Sequence, residues 1–463
     1  MAPLVLGIDS STQSTKALLV DAETGQVLEE RRASHPDGTE VDPRAWLAAV
    51  DDAAGPLLER ADALAVGGQQ HGMVLLDEAG EVVRPALLWN DTRSADAATA
   101  LIEEMGGPQA SVEEIGSLMV ASFTASKLRW VRDEEPENAK RAARVLLPHD
   151  FVSLHLAESG AAPFTDRGDA SGTGYYSTRE EAWKPELVEA ALGKSLGLPR
   201  LPSAPNEVMA RTASGAAIAA GTGDNMGAAL GLSLGPGDVS VSIGTSGVCA
   251  MVSDARPGDA SGTVTGFADA TGRFLPMTTT INASRILEAG RALLGVSHDE
   301  MAELALASEP GANGVTLLPY FDGERTPNRP HGRATLTGMS TSTTREDVAR
   351  AYVEGLLCSL ADGIAALEER TGTAARRITL IGGGARSRAI QQLAPAIFGR
   401  EVTIAPDGEF VALGAARQAA WALAGTEEPP AWEISGSRVV TADATPEVLG
   451  AYRELKERTA DWS

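Results

Sequence analysis

The feature that most limits the fold of this chain is a pattern that occurs twice. LVLGIDSSTQSTKALLVDAETGQVLEE, from Leu4, reads as an apolar β-rich run, a short polar loop, a second run, a turn at Glu23-Thr24-Gly25 and a third run. DVSVSIGTSGVCAMV, from Asp238, repeats the run, the small polar loop (Gly244-Thr245-Ser246-Gly247) and the second run. Helical periodicity follows each time. Asp42-Pro43 starts a helix with Trp46, Leu47 and Val50 on one face. In the second half a helix is predicted from Glu346 to Glu369, opened by a capping box from Thr343 to Glu346, and another behind Thr445-Pro446. RRITLIGGGARS reads as strand, glycine loop and helix. Meanders followed by alternating strands and helices predict α/β architecture, a mixed β-sheet flanked by helices in each half. A chain of 463 residues exceeds one hydrophobic core, and Leu234-Gly235-Pro236-Gly237 is the natural linker, giving domains 1–235 and 236–463.

Charge and cysteine content remove several function classes. A formal charge of −24 opposes binding to nucleic acid or to an anionic membrane, so any anionic substrate has to be held locally. Cys249 and Cys358 stand far apart and no Cys/His ligand spacing occurs, which argues against a disulfide framework or a zinc module. The start of the chain has no basic segment before an apolar stretch, and no apolar run reaches the ~20 residues of a membrane helix. A soluble, cytoplasmic protein is expected.

Three loops leave strands with glycines and hydroxyls: Asp9 to Lys16, Gly244 to Gly247, and Gly382 to Ser387. Backbone N–H groups and hydroxyls in such loops make anion-binding concavities. One such loop is ordinarily a plain turn; three after three strands point to phosphate. The Walker A pattern and the dinucleotide fingerprint are both missing. Asp9 reads either as a loop-capping acid or as a residue holding Mg²⁺ through water, and Lys16 either as a phosphate contact or as a surface cation. His71 in GQQHG reads as a structural or a functional histidine, and Trp89-Asn90-Asp91 as a sugar platform or a strand end. By composition alone the lone acid of GTGDN, Asp224, is a turn residue.

The ordered blocks GIDSSTQSTK, GQQHG, LWNDTR, SFTASKLRWVRDE, LLPHDFVSLHL, TDRGDASGT, GTGDN, SIGTSGV, LLPYFDGERTP and LIGGGARS resemble the FGGY family of carbohydrate kinases over nearly the whole chain. Thr124, Lys127 and Trp130 fit the family's first signature. The second, from Ala334 to Glu354, departs at Tyr352, where a smaller residue is usual and where helical spacing puts the ring on an apolar face. The resemblance implies two actin-like (ribonuclease H-like) domains with an interdomain cleft for sugar and Mg-ATP, the first domain carrying the sugar and the second the nucleotide. It implies that Asp224 is the catalytic base and that Gln70, His71, Trp89, Asp224 and Asn225 bind sugar. It assigns Thr12, Ser14, Lys16, Thr245, Ser246, Gly382, Gly383, Gly384 and Arg386 to ATP, and Asp9 to Mg²⁺ through water. The implied reaction is phosphorylation of D-xylulose to the 5-phosphate, with a homodimer as the assembly and neither nucleic acid nor membrane as partner. Within the family, a Met-His pair goes with xylulose and an Arg-Glu pair with glycerol; here the pair is Gln70-His71. The alternatives are a kinase of another ketose or polyol (ribulose, glycerol or gluconate type) and, from a different class, a non-catalytic actin-like ATP switch.

Overall fold

The computed structural model describes residues 2–462. They form two compact units. The first runs to Leu234 and also takes Asp254–Leu275 and Gly408–Glu433; the second comprises Gly235–Ser253, Pro276–Asp407 and the chain from Ile434 onward. The division is therefore not one cut at the Gly-Pro-Gly linker, because two later segments pack with the first unit.

In the first unit, β1 (Leu4–Ser10), β2 (Ser14–Asp21) and β3 (Val27–Ser34) form the expected antiparallel meander. β4 (Ala63–Gly68) pairs parallel with β1 and continues to β6 (Ala217–Ala219), with β5 (Val208–Arg211) at the edge and β7 (Thr222–Gly223) parallel to the end of β4. β1 is buried on both faces, as a central strand covered by helices must be. Leu6, Ile8, Leu64 and Val66 point to one face and pack with Trp46 and Val50 of the helix Arg44–Ala53. Val5, Ala63 and Ala65 point to the other, under Ala412, Ala415, Ala416 and Ala419 of the helix Phe410–Ala424. That helix lies directly on the sheet: a Cβ at Gly7 would come within 1.9 Å of the Ala412 carbonyl oxygen. Its other side meets the helix Asp224–Gly231 as closely, since a Cβ at Gly414 would come within 1.9 Å of Gly227 O.

The second unit repeats the topology. β8 (Val239–Ile243), β9 (Gly247–Met251) and β10 (Phe274–Thr280) are antiparallel neighbours, while β11 (Ile378–Ile381) and β12 (Val402–Ile404) extend the sheet in parallel from β8, and β13 (Arg438–Val440) closes that side antiparallel to β12. The long helix is Arg345–Thr371, capped by Thr344 with Asp347 as its box partner, one residue later than predicted. Thr343/Glu346 and Thr344/Asp347 are both capping boxes on paper. Tertiary contacts choose the second, because Ser308 Oγ (2.7 Å) and Asn313 Nδ2 (2.8 Å) both donate to Asp347 Oδ1. Tyr352 lies buried on this helix, as expected, over Gly290, where a Cβ would meet its ring at 2.7 Å.

Candidate active site

Three strand ends decide where the site in the first unit lies. In register, Asp9 and Thr222 both stand opposite Gly67, and Ser10 and Gly223 opposite Gly68. The loops that follow leave side by side from the C-terminal edge of parallel strands, where α/β sheets take their ligands.

Asp224 is the first residue of its helix, behind Gly223 as the cap, so the lone acid opens a helix and is not the turn residue that composition predicts. Its Oδ1 accepts from the N–H and from Nδ2 of Asn225, both at 2.8 Å, and the same Nδ2 donates to Gln70 Oε1 at 2.9 Å. The chain is tight because Gly223 has no side chain; a Cβ there would lie 2.9 Å from Gln70 Cγ. Burial, then the charges of Asp9 and Asp169, push the Asp224 carboxyl up to about 7 against the pull of the Asn225 bonds. A carboxyl group with that affinity holds or releases a proton near neutral pH, which is what a general base requires.

His71 has φ 68°, in the left-handed region. Its carbonyl accepts from Thr124 Oγ1 at 3.1 Å, and its Nδ1 lies 2.8 Å from the Gly172 carbonyl oxygen. A carbonyl only accepts, so Nδ1 carries hydrogen. The ring stacks on Phe123 at 5.1 Å and tilts against Phe267 at 5.7 Å. Trp89 is 46 % exposed, and its indole N–H donates to Thr12 Oγ1 at 2.9 Å, which joins an expected sugar contact to an expected phosphate contact. Ser14 is buried at the start of β2.

Asp9 and Lys16 face each other across β1 and β2. Asp9 Oδ2 accepts from Ser11 Oγ at 2.7 Å and from Lys16 Nζ at 3.3 Å, and Glu409 reaches the same ammonium at 2.6 Å. Burial opposes the Lys16 charge, but Asp9 and Glu409 outweigh it and hold the ammonium above its ordinary pKa. Asp9 Oδ1 is buried without a hydrogen-bond partner. An orphaned carboxylate oxygen beside hydroxyls suits a hydrated divalent cation. Among the described residues no three His, Cys, Asp or Glu side chains are arranged to hold a metal directly.

In the second unit Ser242 pairs with Ile381, and the loops after β8 and β11 therefore leave together. Gly244, Thr245, Gly383, Gly384 and Arg386 line a cavity of about 450 Å³, together with Glu288 and His298. Gly384 is needed for the close approach, since a Cβ there would meet Ile243 Cγ2 at 2.3 Å, whereas Gly383 faces open space. Two expected contacts fall outside this cavity. Ser246 Oγ donates to the Ile281 carbonyl at 3.3 Å, and Gly382 borders a second cavity of about 330 Å³ that also touches Arg386 and Asp407.

Sequence reasoning assigned no role to Glu409, or to His149, Asp150, Asp166 and Asp169. These last four lie buried together, with the His149 ring against all three carboxylates. The sequence signal was that LLPHDFVSLHL and TDRGDASGT both belong to the blocks that resemble the family.

Residues 4–232 match the FGGY family of carbohydrate kinases, N-terminal domain, and residues 239–423 its C-terminal domain. The chain is 45 % identical to a xylulose kinase of Streptomyces coelicolor over 441 residues, covering 92 % of this chain and 89 % of that one. It is 43 % identical to a xylulose kinase of Streptomyces rubiginosus over 460 residues, covering 95 % and 93 %. The crystal structure of xylulose kinase from Bifidobacterium adolescentis superposes with a TM-score of 0.92 at 47 % identity, over 98 % of this chain and 99 % of that one.

Proposed function

The chain belongs to the FGGY family of carbohydrate kinases, and from that premise we propose that it transfers the terminal phosphoryl group of ATP to D-xylulose, giving D-xylulose 5-phosphate and ADP. The observation that carries the sugar assignment is the likeness to xylulose kinases at 43–45 % identity across more than nine-tenths of the chain. The actin-like ATP switch gives no account of a half-buried carboxylate tied to Asn225 and through it to Gln70.

In this reading Asp224 orients the acceptor hydroxyl and takes its proton as the hydroxyl oxygen bonds to phosphorus. The bond from phosphorus to the bridging oxygen breaks, and its electron pair leaves with ADP. Phosphoryl transfer of this kind has a loose transition state, so placing the partners and neutralising charge supply most of the rate. Asn225 and Gln70 fix the base by the hydrogen-bond chain described above. Gln70, His71 and Trp89 form the sugar side. Thr12, Ser14 and Lys16 in the first unit, and Thr245, Ser246, Gly382, Gly383, Gly384 and Arg386 in the second, meet the nucleotide. Asp9 would hold Mg²⁺ through water, and the ion would screen charge on the phosphates. We place the enzyme in the cytoplasm as part of this proposal, since ATP is available there.

ADP release measured on D-xylulose, D-ribulose, L-ribulose, glycerol and gluconate tests the reading, with Asp224→Ala as the control. D-Xylulose is expected to give the highest kcat/KM, and the variant to lose ~10²–10⁴-fold. Preference for glycerol or ribulose overturns the substrate, and an unchanged variant removes Asp224 from the chemistry.

A further inference from the structure

Beneath the His71 turn lies an ionic cluster to which phosphoryl transfer, as described above, gives no task. His149 is fully buried near the start of the helix Pro148–Leu156. Its Nδ1 is 2.8 Å from Asp169 Oδ2, and its Nε2 is 3.2 Å from Asp150 Oδ1 and 3.6 Å from Asp166 Oδ1. Carboxylates stand at both ring nitrogens, and a neutral imidazole can donate from only one of them. Only the Nδ1 contact is a hydrogen bond, Nε2 having no hydrogen-bond partner among the described residues, and it is the three carboxylates within 3.6 Å of the ring that favour the cation. Burial opposes that charge, but Asp150, Asp169 and Asp166 override it and push His149 up to about 10.

The three acids are not equivalent. Asp150 accepts from the Leu147 N–H at 2.8 Å, and Asp166 caps its own short helix through Gly168 and Asp169 N–H groups at 2.7 and 3.1 Å. Both are committed to local backbone. Asp169 is fully buried, and burial raises its carboxyl while His149 and then the His71 N–H draw it back; its backbone carbonyl accepts from the Gly172 N–H at 3.0 Å, and its charge in turn raises Asp224. The same turn supplies Gly172, whose carbonyl holds the His71 ring, and a Cβ at Gly172 would strike that ring at 2.5 Å. The backbone has been cleared for His149 as well. A Cβ at Gly68, where β4 ends, would lie 2.9 Å from His149 Cβ, and one at Gly221, just before β7, would lie 2.6 Å from its Cδ2.

We infer that Asp169, backed by the His149 cation, is a positioning residue for phosphoryl transfer: it anchors the turn whose Gly172 carbonyl holds the His71 ring, and it supplies negative charge near Asp224. The inference rests on the sugar-kinase reading, and its test separates the two. The titratable groups around this pair are Asp150, Asp166 and the neutral Tyr175 hydroxyl near Asp169, then Asp9, which acts on Asp224, with Lys16 and Glu409 next to Asp9.

The experiment compares wild type, Asp169→Asn, and the double variant Asp169→Asn with His149→Gln, by ADP release against D-xylulose and against ATP over a range of pH. Alongside it, ¹⁵N NMR of the histidine rings of the wild type is recorded at pH 8. Asp169→Asn is expected to lower kcat/KM for the sugar by about 10²-fold while KM for ATP holds. Its acid limb should fall by about one pH unit, because a like charge has left Asp224. The double variant, an uncharged amide pair, should recover thermal stability without recovering the wild-type limb or sugar KM. Recovery of stability, sugar KM and limb together makes the pair merely structural and overturns the inference, as does a single variant with wild-type sugar kinetics. The NMR needs no turnover: two protonated ring nitrogens at His149 support the cation and a neutral ring sinks it, even where Asp169→Asn fails to fold. A wild type that phosphorylates none of the sugars defeats the functional reading, while the ring protonation seen by NMR still decides whether the pair is ionic.

Discussion

The loop after β1 and the loop after β8 grow from the same topology, a hairpin whose first strand also has a parallel neighbour, and yet they are chemically unlike. The first is built on charge: Asp9, Lys16 and Glu409 meet within 3.3 Å and are partly or wholly buried. The second carries Thr245 and Ser246 between glycines and no ionisable side chain. Duplicated backbone supplies two places to meet an anion. In the proposed reading the side chains then divide the labour, with countercharge and metal contact assigned to one hairpin and neutral donors to the other. Such a division predicts unequal penalties. Ionic groups in a partly dry site interact strongly, while a single hydroxyl to a phosphate oxygen contributes about 1.5–3 kcal/mol.

The sharpest way to break the comparison is Asp9→Asn. Kcat is expected to fall by about 10²–10³-fold, the range for loss of one preorganised electrostatic group, as read by ADP release at saturating substrates. A loss no larger than that of a hydroxyl variant would erase the distinction between the hairpins. Next in size is pH. Asp224 is held at about 7, so kcat/KM for the sugar should drop about tenfold for each pH unit below that midpoint, as protonation removes the base, and should level off above it. The same raised pKa works the other way on stability. The folded form binds the Asp224 proton more tightly than the unfolded chain does, so this group favours folding as pH falls from 8 toward 4, and Asp224→Asn should raise the urea midpoint at pH 8 and do so less at pH 5. The smallest effect belongs to the neutral hairpin: Thr245→Val should raise KM for ATP about tenfold and leave KM for the sugar unchanged.

What the sequence disclosed follows from which forces are local. The meanders were legible because alternating β-branched runs between turn residues have few other uses, and the helix Pro446–Arg458 because Val448, Tyr452 and Leu455 repeat at helical spacing. The cap of the long helix was misplaced by one residue because Ser308 and Asn313, distant in sequence, selected between two adequate boxes. Asp224 was legible only through family resemblance, since an acid after glycine opens a turn as readily as a helix. His149 and its three acids could not be assembled from sequence at all. Asp166 and Asp169 stand far from His149 in the chain, and only the folded backbone, with glycines at 68 and 221, brings the ring between them. Lys16 was seen as a cation facing phosphate, but Glu409 was out of view because nothing in the pattern tells which sheet the Phe410–Ala424 helix will cover.

That covering helix sets an order of events on the ribosome. One face of the first sheet is closed by alanines 412 to 422, which are translated only after the strands β8 to β12 of the other unit. At ordinary synthesis rates of about 5–20 residues per second, the nascent amino-terminal half waits roughly 10–40 s with Val5, Leu18, Val20 and their neighbours uncovered. A fragment ending at the Gly-Pro-Gly linker would keep that greasy face permanently and should be recovered as aggregate or bound to chaperones. Fusing residues 408–433 to such a fragment through a flexible tether would give it back a lid.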